Sequence, residues 1–400
     1  MYFQSIDDKR ECVGVYYDGV LHFDKKKFPD NFDGMRTWKY SGSLLEPSIE
    51  YGWLRAGGKN LKESCPEHLE NELNRMLTKM NAFRKAFEIA KIDFREHCFF
   101  DLVPHDFLTE FLEMKNKITQ HVFETVEKPP IYEHLCELEK LLYKIRYQRM
   151  NLSTTGARQL FTKSIHRSRA NKIMSGSPYI DYNIFGTKTG RLTTYTQSIP
   201  VLTMHKELRS LIKPVNDWLV SLDYNAAEAR TVISLLERTQ PEEDVHEWHM
   251  ETIFKRQGIT SREEAKTLFF AWLYNPGTSD LEGAPYDRES LLDSFYHDGK
   301  IQTPFGRSIE VNEFKALNYL IQSTTADLVN DRAIALDKFL EGKKSFVSHI
   351  VHDEVVLDIH DDERNLLPDI KEIFSQNKLD TFRVNLSAGK DYYNLEKLRI

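Results

Sequence analysis

Residues 344–360, "KSFVSHIVHDEVVLDIH", limit the folds open to this chain more than any other stretch. Apolar runs rich in Val and Ile flank His352-Asp353-Glu354. β-Branched residues favour strands, and a polar tripeptide between two such runs reads as the tip joining a pair of them. The chain therefore contains an antiparallel pair that carries acids to one end. A turn whose polar groups satisfy one another is one reading of that tip. The other is that Asp353 and Glu354 meet a further acid across a sheet.

The candidate for that acid lies in "SLDYNAAEAR", residues 221–230. "DWLVSLDY" reads as a short buried strand, while "NAAEARTVISLLER" has helical composition and spacing. Asp223 then ends the strand, and Glu228 falls in the first turns of the helix. A carboxylate at a strand's carboxyl edge commonly serves a ligand or metal, although Asp223 could equally help to start the helix. Converging carboxylates need a cation to offset their repulsion, and Mg²⁺ accepts one or two carboxylates plus phosphate oxygens. Asp223 and Asp353 together would suit two-metal phosphoryl transfer.

Two further segments bear on that reading. In "SREEAKTLFFAWLY", Ser261 and Glu264 form a capping box that marks a helix start. Arg262, Lys266, Phe270 and Tyr274 then recur every fourth residue along one stripe. Arg grips phosphate through its fork, Lys serves as a point charge or proton donor, and Phe and Tyr lie against a sugar or base. An amphipathic helix with aromatic core contacts and exposed cations has the same spacing. "TKTGRLTTYTQSIPVL" has a Thr/Gly-rich turn that presents Arg191.

The length of 400 residues allows two or more domains, and an apolar share of 40% with 29% charged residues suits a soluble globular chain. Cys12, Cys65, Cys98 and Cys136 lie far apart with no C-x-x-C spacing, which argues against a zinc site or disulfide scaffold. "ECVGVYYDGVLHFD" reads as a hairpin turning at Asp18-Gly19, "KKKFPDNFDG" and "LRAGGKN" as loops, and Glu67 to about Met150 as mostly helical. The opening "MYFQS" looks like a protease-site scar of recombinant expression. Net charge is −7, yet from Lys140 to Lys172 cations, including Lys163, Arg167 and Arg169, run without an acid until Asp181. That run is either a solvated basic face or a track for a phosphate backbone.

In this order the segments closely resemble family A DNA polymerases, from about Tyr182 to Ile359. "TKTGRLTT" with "QSIPVL" is similar to the family's T-G-R-L-S-S and Q-N-I-P segment, and "LRSLIKP" with "SLDYNAAEAR" to its motif A. "REEAKTLFFAWLY" is similar to motif B, and "IVHDEVVLDI" to motif C. "DVHEWHMETIF" and "NYLIQSTTADLV" resemble the segments flanking motif B.

The resemblance implies an α+β right-hand fold, with an antiparallel palm sheet and helical fingers and thumb. It divides the chain into an N-terminal β-containing region (1–66, with the scar at 1–5), a thumb-like region (67–180), palm (181–235 and 311–400) and fingers (236–310). Asp223 and Asp353 would hold two Mg²⁺ ions, with Mn²⁺ as a substitute, and Glu354 would assist. Arg262, Lys266 and His246 would face the triphosphate, with Lys266 protonating pyrophosphate. Phe270 would lie against the incoming sugar and Tyr274 near the nascent pair. Glu228 would exclude a ribose 2′-hydroxyl. Arg191, Asn318, Gln322 and His352 would contact primer or template, and Lys163, Arg167 and Arg169 would track DNA.

The implied activity is DNA-templated DNA synthesis on a primer-template from dNTPs. The setting would be a compact replicase or repair enzyme in the cytoplasm of a bacterium or phage-infected host, or in an organelle, with no membrane association. The resemblance does not identify any processivity or replication factor. A catalytically inactive DNA-binding relative and a single-subunit RNA polymerase are the alternatives. The sequence departs from the family where Asn275-Pro276 follows Tyr274 before Gly277, and its fingers and thumb are short. Asp18 and Asp24 have the wrong spacing for a D-x-E exonuclease, so no proofreading is expected in this chain.

Overall fold

The computed structural model describes residues 2–399 except 9–10, 29–35, 40–41, 43–48, 95, 156–157, 256–257 and 276–285, and only the backbone at 158–159. Pro276-Gly277 and residues 29–34 of the expected loop therefore lie outside the described residues. The chain divides into two units, Met1–Tyr147 and Gln148–Ile400. The thumb-like region expected over 67–180 spans this division.

In the first unit, strands Phe3–Asp8, Glu11–Tyr17 and Val20–His22 form an antiparallel sheet. Asp18 (φ 47°) and Gly19 (φ 79°) make the tight turn that the sequence signals. Phe3, Gln4 and Ser5, expected as a scar, are buried within the first strand. The helices Glu70–Ile89, His105–Thr125 and Tyr132–Arg146 account for most of the helical region. Leu108 and Leu112 of the middle helix pack on Ile6 and Tyr16 of the sheet. The expected loop "LRAGGKN" differs at its start, because Gly52–Arg55 forms one helical turn that buries Trp53 and Leu54.

The second unit is built on a five-stranded antiparallel sheet. Its order is Phe346–Val351, Glu354–Ile359, Trp218–Tyr224, Val384–Gly389, Glu396–Lys397. Trp218–Tyr224 is central because Leu219, Val220 and Leu222 are apolar on both faces, which suits a strand covered on both sides. The register sets Asp223 opposite Glu354 on one neighbour and Asn385 on the other. His352 and Asp353 form the hairpin tip, and His352 takes a positive φ of 56°.

The helix Glu313–Phe339 packs against the helices Ala227–Leu235 and Arg262–Tyr274 and against the hairpin strands. Its buried Ser323, Thr324, Thr325 and Ala326 are small enough for close approach, and the hydroxyls of Thr231 and Thr325 lie 2.9 Å apart. Ala265, Phe269, Trp272 and Leu273 form the buried face of Arg262–Tyr274 and share a core with Val232, Leu317 and Leu320. Burying a large apolar side chain contributes about 1.5–3 kcal/mol, so this face fixes the helix's rotation. Of the opposite stripe, Phe270 is half-buried at the edge of that core, while Tyr274 is exposed. Among the described residues all four cysteines are free, and no helix is long and apolar enough to cross a membrane.

Candidate active site

A cavity of ≈ 320 Å³ lies at the end of the central strand. Nine residues expected from sequence line it: Arg191, Asp223, Glu228, His246, Arg262, Lys266, Phe270, His352 and Asp353. They come from the turn before residue 194, the central strand and following helix, two separate helical segments and the hairpin tip. Arg262, Lys266 and Phe270 of the stripe reach the cavity because the helix's other face is held in the core. Phe270 serves both surroundings, lining the cavity and packing on the core, whereas Tyr274 is 41% exposed and lies outside the lining.

Asp223 and Asp353 form the acidic end. Burial, followed by the Asp353 charge, pushes the Asp223 carboxyl up to about 7, while a hydrogen bond from Asn385 Nδ2 at 3.4 Å opposes the rise. A cation between the two aspartates would relieve this destabilised negative charge. Among the described residues no group of three or more His, Cys, Asp and Glu has metal-binding geometry. Two carboxylates with phosphate oxygens to complete the shell do fit Mg²⁺.

Glu354 stands beside this end, and its charge also raises the Asp223 carboxyl. It is absent from the cavity lining, and its oxygens accept hydrogen bonds from Ser221 Oγ (2.5 Å) and Tyr392 Oη (2.7 Å). Arg209 stands 3.9 Å from the same carboxylate. Partners directly opposite in an antiparallel pair share a face, and Glu354 leans along the strand from Asp223 to Ser221.

The basic end is organised by Asp244, which the sequence reading does not single out. Its oxygens accept from Arg262 Nε (3.1 Å) and Nη2 (2.8 Å), from Asn225 Nδ2 (2.6 Å) and from the backbone of His246 and Glu247. Burial opposes ionisation, but the bonds from Arg262 and Asn225 hold the carboxyl well below the usual range. The available signal was an Asp immediately before the helical segment Val245–Trp248, where it caps the helix. His246 is buried, and burial followed by the Arg262 and Lys266 charges lowers it to about 4 against the pull of Asp244. It is therefore neutral at pH 7.

At the third corner Glu228 is held by Arg191 Nη2 and by the hydroxyl of Tyr274. Gln322 also bonds that hydroxyl, while burial and the Glu228 charge raise its pKa. Gly190 has φ 74°, and a Cβ there would lie 2.5 Å from Arg307 Cζ, so only glycine lets the turn cross that guanidinium and deliver Arg191. Arg307 is itself fixed by a buried two-bond ion pair with Asp327 (2.8 and 2.7 Å).

The remaining expected residues lie outside the cavity lining. Asn318 is four residues before Gln322 on the long helix, half-buried, and its Oδ1 has no hydrogen-bond partner among the described residues. Lys163, Arg167 and Arg169 are exposed at the helix Ser164–Ser175, where Arg167 donates to Phe161 O. Arg169 lines a separate cavity with Lys172 and His205. Asp18 sits in the hairpin turn and Asp24 accepts from Lys26 N.

The second unit is thus a mixed α and β fold in which an antiparallel sheet and a helix bearing Arg, Lys and aromatic side chains line one cavity. The chain is similar in structure to the POL domain of Pol1 from M. smegmatis, solved in complex with DNA primer-template and dNTP. The TM-score is 0.64 over 98% of this chain and 95% of that one, at 13% identity. No protein-family model and no curated protein matches the chain. The likeness shows the fold of a polymerase domain.

Proposed function

We propose that this chain is a DNA-templated DNA polymerase that extends a primer with dNTPs. The observation that carries the reading is the joining of nine expected side chains around one cavity, with Asp223 and Asp353 together and Arg262 and Lys266 opposite on one helix. In this reading residues 181–235 and 311–400 act as palm, 236–310 as fingers and 67–180 as a thumb-like region.

Asp223 and Asp353 would hold divalent cations, which when bound supply charge neutralisation and a more acidic primer 3′-hydroxyl. The chain's own part is positioning and electrostatics, since phosphoryl transfer asks little covalent chemistry of the protein. Arg262, oriented by Asp244, grips the triphosphate, and Lys266, one turn further along the stripe, gives a proton to departing pyrophosphate. Neutral His246 donates a hydrogen bond without adding charge. Phe270 lies against the sugar. Glu228, pinned by Arg191 and Tyr274, fills the space of a ribose 2′-hydroxyl. Glu354 supports the hairpin that presents Asp353, a smaller role than direct metal binding. Lys163, Arg167 and Arg169 neutralise backbone phosphates, and Asn318 and Gln322 with His352 face the primer terminus.

Single-nucleotide incorporation on four primer-templates that differ in the first unpaired base tests the reading. The incorporated deoxynucleotide should follow the template base in all four. Incorporation independent of the template, or none, would contradict it.

A further inference from the structure

A second cavity of ≈ 1280 Å³ is lined by Arg230, Arg238, Lys371, Arg383, Lys397 and Arg399. Only three acidic side chains join them, although the chain as a whole carries a net charge of −7. Arg238, Lys397 and Arg399 are exposed and make no ion pair among the described residues. Their charge is thus available to a ligand. The cations come from the end of the helix Ala227–Leu235, the helix Leu367–Ser375, and the strands Val384–Gly389 and Glu396–Lys397 with their flanks.

This cavity shares a wall with the candidate active site. Asn385 lines both and bonds Asp223. Buried Arg230, on the basic side, donates to Asn225 O (2.8 Å) and Oδ1 (3.3 Å), and Asn225 lines the active-site cavity. Asn225 N also donates to Arg383 O at 3.0 Å. One layer of residues therefore separates the two spaces.

The geometry points to a second anion site that gathers the polyphosphate of a nucleoside triphosphate, or of released pyrophosphate, beside the catalytic cavity. The inference rests on the polymerase reading of that cavity. Cations ringing a concavity suit a compact polyanion, whereas a duplex backbone is followed by charges strung along an extended surface. The volume exceeds the roughly 300–1,000 Å³ of small-molecule sites, which leaves room for a hydrated nucleotide. Six cations against three acids leave an excess of positive charge, and a cleft with such an excess concentrates anions, by about 10- to 10³-fold in on-rate where one sign lines it entirely.

The test is the triple variant Arg238→Glu, Lys397→Glu, Arg399→Glu, compared with wild type at low ionic strength. All three side chains are exposed, and an unchanged melting temperature checks the fold. kcat/KM for dNTP is expected to fall about tenfold, with kcat unchanged and a flatter salt dependence. The affinity of the protein alone for inorganic pyrophosphate, read by calorimetry, should fall by a similar factor. A fall for dNTP alone assigns the site to the incoming nucleotide, and a fall for pyrophosphate alone to the product. Unchanged values for both overturn the inference, as does weakened primer-template binding with neither anion affected. Pyrophosphate binding needs no turnover, so an inactive wild type would count against the polymerase reading and leave this site tested by calorimetry.

Discussion

Asp223 and Glu354 face each other directly in the antiparallel register, yet only Asp223 lines the cavity, and both Glu354 oxygens are held by Ser221 and Tyr392. On the polymerase reading the two acids would do different work. Glu354→Gln should lower primer extension about tenfold or less, while Asp223→Asn should cost at least the roughly 10²–10³ typical of a lost electrostatic group. Single-turnover rates at saturating dNTP give the comparison, and equal losses would count against the division of roles.

The pH response of folding follows from Asp223. Its carboxyl stands at about 7 in the fold against 3.8 as a free side chain. The folded protein therefore binds more protons than the unfolded chain between those values. Stability of the metal-free protein should fall as pH rises from about 4 to 7. Asp223→Asn should flatten that slope, and Mg²⁺ should raise the melting temperature more at pH 8 than at pH 5, where it must displace a proton. Thermal denaturation with and without Mg²⁺ checks both, and an equal Mg²⁺ effect at the two pH values would contradict the assignment.

Asp244 anchors Arg262 and caps the segment that carries His246. Asp244→Ala should raise KM for dNTP about tenfold, equivalent to one lost charged contact of about 1.4 kcal/mol. It should also cost about 1 kcal/mol of stability through the lost cap. Steady-state kinetics and urea denaturation measure the two effects separately.

Glu228 is fixed on one side by Arg191 and on the other by Tyr274. Glu228→Ala should ease rNTP incorporation by at least tenfold relative to dNTP, and Tyr274→Phe should do so less, since Arg191 still holds the carboxylate. The ratio of kcat/KM for dNTP and rNTP reads this directly. An unchanged ratio in Glu228→Ala would remove the sugar-gate role.

The strands, the capped helix and the hairpin tip were legible because each has a local signal: β-branched runs, a Ser-x-x-Glu start, and polar residues between two apolar runs. The stripe Arg262, Lys266, Phe270 and Tyr274 was legible for the same reason, as a period of four on one helix. Asn385 and Tyr392 were not, because their importance comes from partners far along the chain, while Asp244 carried only the local mark of a helix cap and its hold on Arg262 is tertiary. Asn385 reaches Asp223 only through strand register, and Tyr392 reaches Glu354 only once the terminal segment lies against the sheet. The place of Glu354 beside Asp353 was legible in the hairpin, but the hydrogen bonds that draw it toward Ser221 are tertiary.

The most direct test of the central claim is primer extension by wild type and by Asp353→Asn on one defined primer-template with Mg²⁺ and dNTPs, beside the DNA affinity of each. Wild type should extend the primer, and Asp353→Asn should lose extension while binding DNA as tightly. Extension by Asp353→Asn at the wild-type rate, or none by wild type, would contradict the account.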